Sequence, residues 1–137
     1  MIAIVIPGEP KGKGRPRLGK SFTYTPKDTV NYENLVKVCY MDQAKNLKLD
    51  GELKATIIAY YSIPKSTSKK KRLEMVEERL RPIKKPDLDN VAKIVLDSLN
   101  KVAFDDDSQI VKLEVEKFYS ENPRVELQLE SVSHEYM

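Results

Sequence analysis

The chain has 137 residues, 40% hydrophobic and 33% charged, with 24 Lys and Arg against 21 Asp and Glu for a net charge of +3. That length and composition fit one globular domain over residues 1–137, with apolar material enough for a core without disulfides. The single cysteine, Cys39, excludes an internal disulfide and a cysteine-based zinc site, and no apolar run approaches the roughly 20 residues that span a bilayer.

Ile2 to Ile6 is short, apolar and β-branched, which predicts a buried strand that Pro7-Gly8-Glu9-Pro10 ends. The apolar start is cut too early to be a signal peptide, so a cytoplasmic protein without membrane contact is expected. Lys11 to Lys20 mixes Gly, Pro and cations and predicts a loop. Ser21 to Tyr24 suits a short strand. Thr25-Pro26-Lys27-Asp28 reads as a helix start, with Thr25 as cap and Pro26 in the first helical position. Tyr32, Leu35, Val36 and Cys39 then give the helix its apolar face, which predicts a packed core thiol at Cys39. The helix should end before Asp50-Gly51. From Leu53 to Ile63 alternate residues are apolar, the pattern of a long strand. Between Pro64 and Pro86, Ser66 or Ser68 could cap a short helix with Leu73, Val76 and Leu80 on one side, but its opening lysines oppose the helix dipole and a basic arm is the alternative. The next helix is predicted from Asp89 or Asn90, with Val91, Ile94, Val95, Ser98, Leu99 and Val102 facing the core. Val111, Leu113 and Val115 form a strand in which Lys117 shares the apolar parity and turns inward. Val125, Leu127 and Leu129 form another, and Ser120-Glu-Asn-Pro123 between them predicts a hairpin. The polar tail from Ser131 is expected to fray.

The charge is segregated. Lys11, Lys13, Arg15, Arg17 and Lys20 crowd one end, and Lys65, Lys69, Lys70, Lys71, Arg72, Arg79, Arg81, Lys84 and Lys85 follow later. Acid dominates from Asp87 to Asp107. Asp87 and Asp89 open the second long helix, and Asp105, Asp106 and Asp107 lie just past its end. Carboxylates brought together repel unless something neutralises them, and a hard divalent cation such as Mg²⁺ does so. Cations for a nucleic-acid backbone around carboxylates for a metal predict a metal-dependent phosphodiester-cleaving enzyme. The duller readings are a helix cap for Asp89, a solvated turn for the later acids and, for Lys93, an ion pair with Asp89 or Asp97 worth about 0.3–0.5 kcal/mol. Asp97 is expected to support Lys93 or Lys101.

Other chemistries lack their parts. An EF-hand loop counted from Asp87 puts Ala92 at position six and Ser98 at twelve; counted from Asp105 it puts Ile110 where glycine is required. His134, the only histidine, argues against a Ser-His-Asp triad or a His-rich zinc site. Gly12, Gly14 and Gly19 lack phosphate-loop spacing.

Lys85-Pro-Asp-Leu-Asp-Asn-x-x-Lys93-x-x-x-Asp97-x-Leu99, followed by Asp106-Asp-Ser-Gln109 and Lys117, resembles the RusA family of Holliday-junction resolvases. Lys13-Gly-Arg-Pro-Arg17, Tyr24-Thr-Pro26 and Asn31-Tyr-Glu33 are similar to the same family. The resemblance implies a small homodimeric nuclease of bacteria or their phages that resolves four-way DNA junctions by paired nicks, using Mg²⁺ or Mn²⁺, in recombination and repair. It places the three essential carboxylates at Asp87, Asp89 and Asp107 and the active-site lysine at Lys93. Asp106 matches the first acid of the Asp-Asp pair and is carried as a fourth candidate metal ligand, while Asp105 is an extra acid. Lys13, Arg15 and Arg17 are the first candidates for DNA contact, with Lys69, Lys70, Lys71, Arg72 and Lys117 after them. The expected fold is α/β of the α+β type, a largely antiparallel mixed sheet with helices packed on it. Alternatives are a nuclease for flaps or other branched DNA, a branched-DNA-binding protein without catalysis, and a structural metal site.

Overall fold

The computed structural model describes residues 1–14, 17–19 and 23–132, with the backbone alone at Arg17 and Tyr24. Strands β1 (Ile2–Pro7), β4 (Leu53–Ser62), β5 (Ile110–Ser120) and β6 (Arg124–Ser131) form a four-stranded sheet in the order β1-β6-β4-β5. Two of its pairings are antiparallel, β1 with β6 and β6 with β4, and β4 runs parallel to β5. A separate two-residue ladder joins β2 (Arg17–Leu18) to β3 (Thr23–Tyr24) within the basic loop. Helices α1 (Lys27–Ala44), α2 (Lys69–Val76) and α3 (Leu88–Ser98) complete the expected α+β architecture. Among the described residues no helix is long and apolar enough to cross a membrane.

β4 is the centre of the molecule. Leu53, Ala55, Ile57, Ala59 and Tyr61 are buried on one face, as their alternation predicts, and both edges of the strand are paired. The hairpin expected from β5 and β6 does not form, because β4 lies between them and the Glu121–Pro123 turn crosses its end. A direct hairpin would leave one edge of this ten-residue strand unpaired, and buried backbone groups do not tolerate that. The parallel β4–β5 pair requires a crossover, and α2 and α3 supply it.

Tyr32, Val36, Cys39 and Tyr40 of α1 and Val91, Ala92, Ile94 and Val95 of α3 close the core over the sheet with Leu99, Ala103 and Phe104. Three local expectations change. Pro26, not Thr25, occupies the cap position of α1, and no side chain caps it. α2 is capped by Ser68, whose hydroxyl accepts the Lys71 N–H, but it stops at Val76, where Glu78 adopts φ 66°. Met75 is its buried residue, whereas Leu73 and Val76 are more than half exposed, so the apolar stripe read there faces water. α3 begins one residue early, at Leu88, which moves the cap position to Asp87.

Candidate active site

Asp87 and Asp89 sit at the N-terminus of α3, where the helix dipole favours anions. Asp87 makes no side-chain cap, and neither carboxylate has a hydrogen-bond or ion-pair partner among the described residues. Among the described residues they have no partner to give up on taking a ligand. The two point into different grooves. Asp87 lines one of about 700 Å³ with Glu9, Lys11, Gly12, Tyr61, Lys84 and Lys85. Asp89 lines another of about 420 Å³ with Lys93, Asp97, Asp107 and Leu113.

The strap that leads to Asp87 is held from the sheet. The Tyr61 hydroxyl donates to the Pro86 carbonyl at 2.5 Å, and burial and then the Asp87 charge push that phenol up to about 12. Lys117 does share the core-side parity of Val115; its Nζ lies 5.0 Å from the centre of the Tyr61 ring and donates to the Lys84 carbonyl at 2.6 Å. Lys117 thus ties β5 to the segment before Asp87.

A short 3-10 turn, Asp107–Gln109, sets the second group of acids. Asp106 caps it, accepting from the Ser108 N–H at 3.0 Å, while the Gln109 side chain accepts from the Asp105 N–H at 2.8 Å and donates to the Gly51 carbonyl at 3.0 Å. Asp105 pairs with Lys48 at 2.5 Å, the role of a turn residue. Asp107 is oriented by its own N–H, which donates to Asn100 Oδ1 at 2.8 Å. Partial burial and then the neighbouring Asp97 carboxylate, in the same groove, raise the Asp107 carboxyl above its ordinary value.

Asp97 does not pair with Lys93 or Lys101. Its partner is Lys13, whose Nζ lies 2.8 Å from Asp97 Oδ2 and 3.3 Å from Glu33 Oε2. Lys93 is exposed in the smaller groove and forms no ion pair among the described residues, so its ammonium is open to a ligand. Arg72 pairs with Glu121 at 3.2 Å, and Lys69, Lys70 and Lys71 are exposed on α2. Arg15 and the Arg17 side chain lie outside the described residues. Among the described residues no three acidic, histidine or cysteine side chains form one metal-binding cluster; Asp89, Asp97 and Asp107 share one groove, and Asp87 lines the other.

Three contributors escape a reading of the chain. Asn90 accepts the Lys13 N–H at 3.1 Å, Asn100 orients Asp107 and Tyr61 holds the strap. Of these only Asn90 carried a signal, its place directly after the paired acids; Asp97 stood in the motif, but its partner Lys13 was not foreseen.

A small α+β domain that gathers acids at one helix terminus, with a free lysine on the next turn and cations on the flanking walls, has the makings of a phosphodiester-cleaving site. The family described as endodeoxyribonuclease RusA matches residues 7–130, and the chain belongs to that family. It is also 38% identical over 138 residues to the uncharacterised protein YqaN of Bacillus subtilis strain 168, covering 96% of this chain and 97% of that one. Cleavage of DNA within a strand is the activity that goes with the family.

Proposed function

We propose that the protein is a metal-dependent endonuclease that resolves four-way DNA junctions by paired nicks, a cytoplasmic enzyme of a bacterium or its phage acting in recombination and repair. The observation that carries the reading is the pair of carboxylates without partners among the described residues, Asp87 and Asp89, each lining a groove, with Asp107 and Lys93 in the one that Asp89 lines.

The donor set is made only of carboxylate oxygens, which suits Mg²⁺ or Mn²⁺. Asp89 and Asp107, which share a groove, would hold the ion, and Asp87, which lines the other groove, would join them by turning its side chain toward them. Asp106 is already occupied as a cap and is the weaker candidate ligand. When bound, the cation supplies Lewis-acid stabilisation for the addition of water across a phosphodiester P–O bond. Lys93 holds a phosphate oxygen beside it. Lys11, Lys84 and Lys85, which pair with no carboxylate among the described residues, line the larger groove and bind the strand backbone there. The exposed lysines of α2 offer a second basic surface. Such contacts position DNA without reading its bases, as recognition of branch shape requires. Two symmetric nicks call for two such sites, which a homodimer provides.

The test is a labelled synthetic four-way junction incubated with protein and Mg²⁺, beside linear duplex and flap substrates. Paired nicks on the junction, lost with EDTA and in Asp107→Asn, are expected. Preferential cutting of flaps would keep the site and change the substrate, and tight junction binding without any metal-dependent cutting would remove the catalytic reading.

A further inference from the structure

Lys13 stands in a cation-rich stretch and lines the larger groove, yet its ammonium is engaged by two carboxylates. It bridges Asp97 of α3 and Glu33 of α1 at 2.8 and 3.3 Å, with the three side chains 27%, 24% and 19% exposed. The backbone around it is fastened on both sides. The Lys13 N–H donates to Asn90 Oδ1 at 3.1 Å, and the Gly14 N–H donates to Thr29 Oγ1 at 2.9 Å. The flanking glycines leave little room: a Cβ on Gly12 would lie 2.4 Å from Asn90 Nδ2, and one on Gly14 would lie 2.7 Å from Thr29 Oγ1. The loop is wedged between two helices with one lysine directed inward.

Asp97, the residue this lysine reaches, lines the same groove as Asp107, and its charge opposes ionisation of the Asp107 carboxyl. Two neighbouring carboxylates tend to separate unless one is held from its far side. Lys13 does that, drawing on α1 through Glu33.

We propose that Lys13 is a positioning residue of the carboxylate centre, which through Asp97 sets Asp107 toward the groove, and that it does not contact DNA phosphate. This rests on the nuclease reading of Asp107. It differs from that reading in what it expects of metal and of salt. Partners that orient metal ligands typically change affinity by about 10- to 100-fold when removed. A phosphate contact instead removes about 0.9 from the slope of log affinity against log salt.

Full-length wild type, Lys13→Met, Lys13→Arg, Asp97→Asn and the Lys13→Met/Asp97→Asn double variant would be titrated with Mn²⁺ by calorimetry without DNA. Each would then be bound to a four-way junction in EDTA across a salt series. Lys13→Met is expected to lose about 10-fold or more in Mn²⁺ affinity while keeping the junction affinity and salt slope of wild type. Lys13→Arg should recover most of the loss. Asp97→Asn, which leaves Lys13 paired with Glu33 and so guards against a misfolded loop, should show a similar loss, and the double variant should add little to either. Additive losses, an unchanged Mn²⁺ affinity in Lys13→Met, or a salt slope reduced by about one would each overturn the inference. A wild type that takes up no Mn²⁺ would overturn the metal reading itself, an outcome distinct from a metal-binding wild type beside an unaffected variant.

Discussion

Asp107→Asn should stabilise the protein in EDTA while removing its cleavage activity. In the folded chain Asp107 is set against Asp97 by the turn that Asn100 anchors, and that anchor is the Asp107 backbone N–H, which the substitution keeps. An asparagine carboxamide can donate to Asp97 where a carboxylate repels it. Two unit charges about 4 Å apart interact by about 1 kcal/mol in water and about 4 kcal/mol at the dielectric typical of a protein surface. The pair is partly exposed, and Lys13 already offsets the Asp97 charge, so a gain of about 0.5–1 kcal/mol is expected, in the range of exposed pairs. For a chain of this size that is a rise in Tm of roughly 2–4 °C. Differential scanning fluorimetry in EDTA at low salt measures it, and the gain should shrink as salt is raised. Because the Asp107 carboxyl is raised, the repulsion is present while that group is ionised and is lost as pH falls through its folded value toward the ordinary 3.8. The advantage of asparagine is therefore full at pH 7 and gone in acid. An unchanged or lower Tm in EDTA at pH 7 would show that the two acids do not oppose each other and would refute the reasoning.

Gly12→Ala should destabilise the chain by about 1–3 kcal/mol, since the new methyl meets Asn90 Nδ2 at 2.4 Å and Pro86 Cβ at 3.0 Å; urea denaturation measures the loss, and wild-type stability would show that the loop does not pack as described. The Cys39 thiol is buried and pushed above its ordinary value by burial and then by Asp42, so a thiol reagent at pH 7.5 should modify it slowly in the folded protein and quickly in denaturant. Rapid modification of the native state would contradict that placement.

The elements legible along the chain are those whose signal is periodic. β4 reads from Leu53 onward because every second residue is apolar, and α3 reads from Val91 because its apolar residues recur at helical spacing. α2 did not read well: its lysines and short length leave no face strong enough to show that Met75, not Leu73 or Val76, is the buried residue. The β5–β6 hairpin was a sound local inference from a turn between two alternating runs. It fails because pairing partners are chosen by the whole sheet, and β4 gains two paired edges by lying between them.

The site divides the same way. The acids at Asp87, Asp89 and Asp107 and the lysine at Lys93 stand out in the sequence because chemistry needs those residue types and they fall close together along the chain. The inward turn of Lys117 was legible from strand parity, but the partner of Lys13 was not, since nothing in its neighbourhood along the chain sets it apart from the other cations of that loop. The fold turns Lys13 onto Asp97 and Glu33, lays Lys117 against Tyr61 and leaves Lys93 open in a groove. The sequence by itself determined which residues could do the chemistry and which local elements carry them. Only the tertiary structure decided which charges meet, because ion pairs such as Lys13 with Asp97 join residues far apart in the chain and depend on distances that packing alone sets.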